Sequence, residues 1–198
     1  MKVQIFLPVT FLCLTLFGTY ALESFANSDI GQSKQTREDV KETDNFNLGF
    51  IAAKMGNFAE AIKLWKPLAE QGESHAQYNL GLIYEQEVGF QNFKEAFYWY
   101  KKSAIQGVLE AQYRLGFAYS VGQGVDDNPM AGLMWIIISL GGGNEKAAHL
   151  KNILVQFMND NKPEYDAEKI AFSLALECVQ NNFMGCYPEE SNLEIKKA

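Results

Sequence analysis

The chain has 198 residues, a net charge of -7 and a hydrophobic fraction of 47%, so it can bury one core and is too apolar for a disordered protein. Its 17 lysines and arginines do not cluster, and binding to the phosphates of nucleic acids requires a basic face. We therefore predict one folded domain that binds no nucleic acid.

The N-terminus has the layout of a secretory signal peptide, predicted over residues 1–21. One lysine precedes an apolar stretch over residues 3–17, and cleavage is expected near Ala21 or, as a second possibility, near Ala26. The alternative is an uncleaved membrane anchor, but the stretch is shorter than the roughly 20 residues that a helix needs to cross a bilayer. We expect a periplasmic or secreted protein with no stable membrane span after cleavage.

Residues 22–43 are polar and almost without apolar periodicity, which predicts a flexible, disordered leader. A regular pattern begins after this leader, so we place the folded domain at residues 44–187. Residues 188–198 are expected to form a short C-terminal tail.

A period of 35 residues organises the folded domain. Four columns of small or bulky apolar residues keep this spacing. They are Ala61, Ala96 and Ala131; Trp65, Tyr100 and Trp135; Gly72, Gly107 and Gly142; and Leu80, Leu115 and Leu150. Repeats of this length must stack on one another, because a single helix pair cannot bury its own apolar face.

Within each repeat the apolar residues predict two amphipathic helices joined by a turn. In the second repeat, Ala76, Leu80 and Ile83 fall on one helical stripe. Helix starts are predicted where a capping side chain lies three residues before an acid or an amide, or directly before proline. These starts are Asn57 with Glu60, Ser74 with Gln77, Asn92 with Glu95, and Asn128 before Pro129. The left-handed glycines that end the second helices are predicted at Gly72 and Gly107.

Two glycines lie inside predicted helices rather than at their ends. Gly81 and Gly116 each cost about 1 kcal/mol of helix stability relative to alanine, so something in the fold must compensate. We expect a bulky side chain of a neighbouring helix, Trp65, Tyr100 or Trp135, to lie against their bare backbone.

The first and last repeats depart from the regular pattern. Ala61 lies nine residues after Ala52, against a spacing of twelve in the later repeats, which predicts a tight turn at Gly56 and Asn57. The last repeat is irregular, with helices predicted over residues 147–158 and 167–178. Terminal repeats are commonly atypical, because one side of them faces water.

Two cysteines remain in the mature chain if the signal peptide is removed, because Cys13 leaves with it. Cys178 and Cys186 would then lie in a compartment where disulfides persist. We expect them to form a disulfide that ties the C-terminal segment to the last helix. Two unpaired thiols are the alternative.

The segment AIQGVLEAQYRLGFAYSVGQGV, which ends at Val125, resembles the Sel1-like repeat family, and the resemblance extends over about residues 46–158. The resemblance implies an all-α fold, a right-handed α-solenoid of about three to four helix-turn-helix repeats. It also implies a non-catalytic scaffold or adaptor in the bacterial envelope. Such a protein would bind another protein or peptide on the concave face, which the first helix of each repeat lines.

Carried over onto this sequence, the inward positions form an aromatic stripe with acids beside it. They are Phe46, Phe50, His75, Tyr78, Leu82, Glu85, Glu110, Tyr113, Phe117 and Ser120. This stripe suits an extended or helical peptide that carries apolar anchors and a basic residue. The alternative is that Tyr78, Tyr113 and Phe117 only pack on the next helix.

The sequence carries no recognisable catalytic or metal-binding motif, so we expect no cofactor, no metal and no enzymatic activity. The two histidines, His75 and His149, lie in different repeats and have no neighbouring ligand or triad partner. The alternative function is a β-lactamase-like or other hydrolase, as in cysteine-rich Sel1 relatives, but those carry a cysteine pair in each repeat. A structural subunit of an envelope complex is a further possibility.

Overall fold

The computed structural model describes residues 43–161, 166–184 and Cys186. The chain divides into two units, Met1–Asn45 and Phe46–Ala198, and nearly all of the described residues lie in the second. The predicted signal peptide and the C-terminal tail lie outside the described residues, as does all but the last residue of the predicted leader.

The described residues form eight helices and no strand, which confirms the predicted all-α fold. Helix α1 covers residues 43–54, and the chain continues through seven more helices. These are α2 (Phe58–Glu70), α3 (Ser74–Gln86), α4 (Phe93–Ala104), α5 (Leu109–Val121), α6 (Pro129–Gly141), α7 (Ala147–Asn161) and α8 (Ala167–Gln180). We number the pairs α1–α2, α3–α4, α5–α6 and α7–α8 as units one to four of an α-solenoid.

Buried side chains form three clusters that follow one another along the helix pairs. The first lies around Trp65, between α2, α3 and α4. The second lies around Tyr100 and Trp135 and joins α4, α5, α6 and α8. The third lies around Ile136 and Leu154 and joins α6 to the fourth unit. Helix α6 therefore contributes to two clusters, which explains why its sequence is apolar on nearly every side.

Three of the four predicted helix starts are confirmed. The side chains of Asn57, Asn92 and Asn128 each accept a hydrogen bond from the backbone N–H three residues later. The start predicted at Ser74 is wrong, because Ser74 is already the first helical residue of α3. Its cap is Glu73, whose carboxylate accepts hydrogen bonds from the backbone N–H groups of His75 and Ala76. A longer acidic side chain can thus do the work of a short capping residue.

The glycines inside the first helices lie against bulky side chains of the second helices. A Cβ added at Gly49 would meet the indole of Trp65, and one added at Gly81 would lie 2.5 Å from the ring of Tyr100. The contact at Gly81 confirms the predicted close approach in unit two, and Gly49 shows the same arrangement in unit one. Bare helix backbone is therefore what lets each ring lie between the paired helices.

The third unit departs from the predicted register by one residue. The caps Asn57 and Asn92 lie 35 residues apart, but Asn92 and Asn128 lie 36 apart. The side chain that lies against Gly116 is consequently Ile136 rather than Trp135. A Cβ added at Gly116 would lie 2.8 Å from the side chain of Ile136. The left-handed glycine after the second helix shifts as well, and lies at Gly143, with a φ of 106°, instead of Gly142.

The fourth unit is closed by the predicted disulfide. Cys178 on α8 is bonded to Cys186, with a Cα–Cα distance of 5.1 Å. In the loop between them, the ring of Phe183 stacks on Trp135 of α6, with ring centroids 6.0 Å apart. The disulfide thus holds the loop over the buried second cluster.

None of the helices in the described part of the chain is both long and apolar enough to cross a bilayer. The most apolar helix, α6, has 13 residues.

Replacing Gly81 with alanine should destabilise the protein, although alanine is the better helix former. The new Cβ would lie 2.5 Å from a Tyr100 ring that is itself buried. Overpacking of this kind costs about 1–3 kcal/mol, against about 1 kcal/mol gained in helix propensity. We expect a net loss of unfolding free energy in urea denaturation. Gly141→Ala is the matched control, because a Cβ there meets nothing within 4 Å. Equal effects of the two substitutions would contradict the proposed contact.

Removing the disulfide with the double substitution Cys178→Ser and Cys186→Ser should lower the free energy of unfolding by about 2.5 kcal/mol. The crosslink closes a short loop, and its loss gives the unfolded chain more freedom. Denaturation with and without a reductant measures this difference. Reduction should destabilise the native chain to the same extent and leave the double variant unchanged; an effect of reductant on the variant would count against the assignment.

Candidate functional site

The ten predicted binding residues all lie on α1, α3 and α5, the first helices of units one to three; we call these ten residues the first-helix face. Three of them are exposed, one on each helix: Phe50, His75 and Glu110. The other seven are half-buried, and most have contacts of their own. The face therefore combines accessible side chains with side chains that hold the helices together.

At the centre of the face, a charged network connects units two and three. The side chain of Glu85 on α3 is only 10% exposed. Its carboxylate accepts a hydrogen bond of 2.7 Å from the Tyr100 hydroxyl on α4 and lies 3.2 Å from the Arg114 guanidinium on α5. Arg114 also donates a hydrogen bond to the Tyr78 hydroxyl on α3. One carboxylate is thus satisfied by groups from two neighbouring helices.

Burial fixes the protonation states in this network. Burial raises the pKa of Tyr100, and the Glu85 carboxylate raises it further. Burial also raises the pKa of Tyr78. For Arg114, burial is the largest single effect and acts to lower the pKa, but the Glu85 carboxylate and the Tyr100 and Tyr78 side chains together outweigh it, so the pKa is raised. Both phenols therefore stay protonated and the guanidinium stays charged at neutral pH, so the network keeps one arrangement.

The residues of α1 divide into one that packs and one that is accessible. The ring of Phe46 lies 6.2 Å from that of Trp65, and its backbone carbonyl accepts a hydrogen bond of 3.0 Å from the indole N–H. Phe50 is 48% exposed, and the ammonium of Lys54 lies 4.7 Å from its ring centroid. Of the two face residues on α1, Phe50 is therefore the accessible one.

The remaining face residues of α3 and α5 also divide into accessible side chains and side chains that pack within the protein. The His75 ring lies 3.3 Å from the Glu73 carboxylate at the exposed start of α3. Leu82 packs against the second buried cluster and Tyr113 against the third. The Ser120 hydroxyl donates to the backbone carbonyl of Gly116, at 2.7 Å. Phe117 is half-buried on α5.

Sequence reasoning missed Arg114 and the polar role of Tyr100. Tyr100 was placed in a column of bulky residues between Trp65 and Trp135, where only its volume was considered. A buried tyrosine needs a partner for its hydroxyl, so a tyrosine among tryptophans was a signal that an acceptor lies nearby. No pattern in the sequence points to Arg114. The residue 35 positions before it is Asn79, so no charge recurs at this position of the repeat.

The described residues contain no group of three or more histidine, cysteine or acidic side chains that could hold a metal ion. The acidic side chains of the face are instead engaged with phenols and a guanidinium, as at Glu85, or exposed, as at Glu110. The arrangement offers hydrogen bonds, charge and apolar contact area to a ligand.

Comparison with protein families gives a match to the Sel1 repeat over residues 48–73, 74–108 and 109–139. These ranges cover the helices of units one to three except the first residues of α1 and the last residues of α6. They place the repeat boundaries at the starts of α3 and α5, as the helices themselves do. The comparison with curated proteins gives no match.

Two solved structures show similar folds. One is a protective antigen present in uropathogenic Escherichia coli strains and displaying an SLR fold, with a TM-score of 0.63, 24% identity and coverage of 81% of this chain and 34% of the antigen. The other is a Sel1 repeat protein from Oxalobacter formigenes, with a TM-score of 0.53, 29% identity and coverage of 63% of this chain and 97% of that protein. The chain thus spans about a third of the antigen, which supports the fold alone. Nothing in these comparisons supports the hydrolase alternative.

Replacing Arg114 with methionine should destabilise the protein far more in the native background than when Glu85 is glutamine. Loss of the guanidinium leaves a buried carboxylate without its charge partner, which costs about 2–3 kcal/mol for a partly exposed arginine. With Glu85→Gln the charge is absent, so the coupling energy in a double-mutant cycle should be at least about 1 kcal/mol.

The exposed pair Lys63 and Glu60, 3.3 Å apart, is the matched control for this cycle. Exposed ion pairs couple by no more than about 1 kcal/mol and commonly by less than 0.5 kcal/mol. Urea denaturation of the native protein and the six variants gives both coupling energies. A coupling between Arg114 and Glu85 no larger than that of the control would contradict a structural role for the network.

Proposed function

Because residues 48–139 belong to the Sel1 repeat family, we propose that this chain is a non-catalytic scaffold that holds another protein or a peptide on the first-helix face. The observation that carries the proposal is that the first helix of each of three successive repeats has an exposed side chain on this face: Phe50, His75 and Glu110. Each repeat thus contributes one accessible contact, so a ligand that spans the repeats can meet all three.

The charge of the face favours a basic ligand. Glu110 is exposed, and its carboxylate acts to raise the pKa of Tyr78, so it lies close to the middle of the face. Glu73 accompanies His75 at the start of α3, and the guanidinium of Arg114 is occupied by Glu85. A peptide with apolar anchors for Phe50 and a lysine or arginine for Glu110 fits this pattern.

Rigidity of the face supports binding. The Glu85 network joins α3, α4 and α5, so two of the exposed side chains, His75 and Glu110, are carried by helices whose relative positions are fixed. A ligand then loses less free energy in ordering the protein when it binds. The half-buried residues of the face thus contribute to binding by holding the exposed ones in place.

We further propose that the chain works outside the cytoplasm, in the periplasm or after secretion. The support comes from the signal-like sequence over residues 1–21 and from the Cys178–Cys186 disulfide, which persists in oxidising compartments. The intact mass of protein recovered from the periplasm or medium tests this. A mature chain that begins after Ala21 or Ala26 supports export, and a full-length cytoplasmic chain contradicts it.

Site-specific photocrosslinking should locate the ligand on the first-helix face. A photoreactive phenylalanine at position 50, 75 or 110 should give the same adduct in the cells that produce the protein, because one ligand contacts all three helices. Positions 98 on α4 and 153 on α7 are matched controls, since Tyr98 and Ile153 are 45% and 49% exposed. Adducts at the controls as strong as those on the face would contradict the proposal.

Charge reversal provides a second test of the same face. Glu110→Lys should weaken the adduct at position 50 by about tenfold, because it replaces attraction for a basic ligand residue by repulsion. Glu177→Lys on α8 makes the same charge change at another exposed position and should leave the adduct unchanged. Equal effects of the two reversals would show that only net charge matters.

A further inference from the structure

A cleft of about 420 Å³ lies between the start of α5, the end of α6 and the outer side of α8. Its lining is mainly apolar, and it shares no residue with the first-helix face. The lining includes Leu109, Gln112, Ile137, Phe172, Leu176 and Val179. The cleft is therefore a separate surface feature, formed where units three and four meet.

One wall of the cleft is an exposed apolar stripe on α8. Phe172 is 60% exposed, Leu176 50% and Val179 46%. Their spacing of four and three residues puts them on one side of the helix. The end of α6 forms the opposite wall. Gly141 and Gly142 have no side chains there that could fill the cleft.

A buried hydrogen-bond acceptor lies in the cleft wall. Gln112 is 1% exposed, and its amide nitrogen donates to the backbone carbonyl of Ala104, at 3.1 Å. Its Oε1 atom is buried and has no hydrogen-bond partner among the described residues. An unsatisfied buried acceptor is costly, at about 1–3 kcal/mol, so a protein rarely keeps one without a use for it.

Unit two shows how the same position is satisfied when a donor is present. Gln77, the counterpart of Gln112, also donates to the end of the preceding helix, at Ala69. Its Oε1 accepts a hydrogen bond of 2.7 Å from the side-chain amide of Gln106.

The counterpart of Gln106 in unit three is a glycine. Gln106 directly precedes the left-handed Gly107, and Gly142 directly precedes the left-handed Gly143. Unit three therefore lacks the donor that Gln106 provides in unit two, and the Gln112 Oε1 atom is left for a donor from another molecule.

We propose that this cleft binds a tryptophan side chain presented by a peptide segment of a second partner protein, with the indole N–H donating to Gln112 Oε1. Tryptophan combines a large apolar body, which the α8 stripe would cover, with a nitrogen that is a donor only. A second copy of this chain does not supply such a residue, because Trp65, Trp99 and Trp135 are at most 4% exposed. This site goes beyond the first-helix face and would let the scaffold bring two partners together.

The test uses N-acetyl-L-tryptophanamide as the probe and the full mature chain, labelled with nitrogen-15, in an NMR titration. We expect shift changes that centre on Gly141, Gly142 and Val179. The 1-methyl analogue of the probe has no indole N–H and should bind about tenfold more weakly, because it leaves the acceptor unsatisfied. Equal binding of both probes, or no shift change at millimolar probe, overturns the proposal.

Two variants test the location. Leu176→Lys places a charge on the α8 stripe and should abolish binding, whereas Leu48→Lys on α1 changes a leucine of the same exposure, 51%, and should not. The double variant Leu109→Ser and Gly142→Gln gives unit three the glutamine donor that Gln106 provides in unit two. Leu109 is replaced because its side chain would contact the new glutamine. This variant should fold and bind no probe. Binding that survives in Leu176→Lys overturns the proposal.

The titration also separates the other possible occupants. Shifts at Val179 that depend on protein concentration without probe would mean that a second copy fills the cleft. Shifts at Val179 caused by Tyr187→Ala would mean that the chain's own C-terminal segment fills it. Either result contradicts the proposal, and neither bears on the first-helix face.

Discussion

The close approach of a bare helix backbone to a bulky side chain is the contact on which the rest of this structure depends. Trp65 lies against Gly49, Tyr100 against Gly81, and Ile136 against Gly116. Each contact sets the distance between the two helices of one unit, and that distance decides which side chains are buried between them. A glycine that weakens its own helix thus fixes the position of the next one.

The arrangement of the first-helix face follows from these contacts. Because the Tyr100 ring lies against Gly81 of α3, its hydroxyl reaches Glu85, and Glu85 is also the partner of Arg114 on the following unit. Packing within a unit therefore creates the polar link between units, and this link orients the first-helix face. The glycine-rich end of α6 has a different consequence, because the missing side chains leave Gln112 without the donor that its counterpart Gln77 has.

Much of the fold could be predicted because the repeat pattern and the helix caps independently indicate where the helices begin. The one-residue shift in unit three could not, because α6 offers suitable residues in both registers. Ala131 and Gly132 are both small, and Trp135 and Ile136 are both bulky, so the column of small and bulky residues looks intact at a spacing of 35. The network around Glu85 was hidden for another reason: its members lie on three helices, and only the packing of those helices brings them together. The positions of the face could be listed from the family resemblance, but which of them are accessible depends on contacts such as that of Phe46 with Trp65.

The central claim is that three glycine contacts set the spacing of the helix pairs, with the third shifted by one residue. Nuclear Overhauser effects between the glycine α-protons and the facing side chains measure this directly in solution. The account predicts strong effects from Gly49 to the Trp65 indole, from Gly81 to the Tyr100 ring and from Gly116 to the δ-methyl group of Ile136. Effects from Gly116 to the Trp135 indole, or none between the other two pairs, would contradict it.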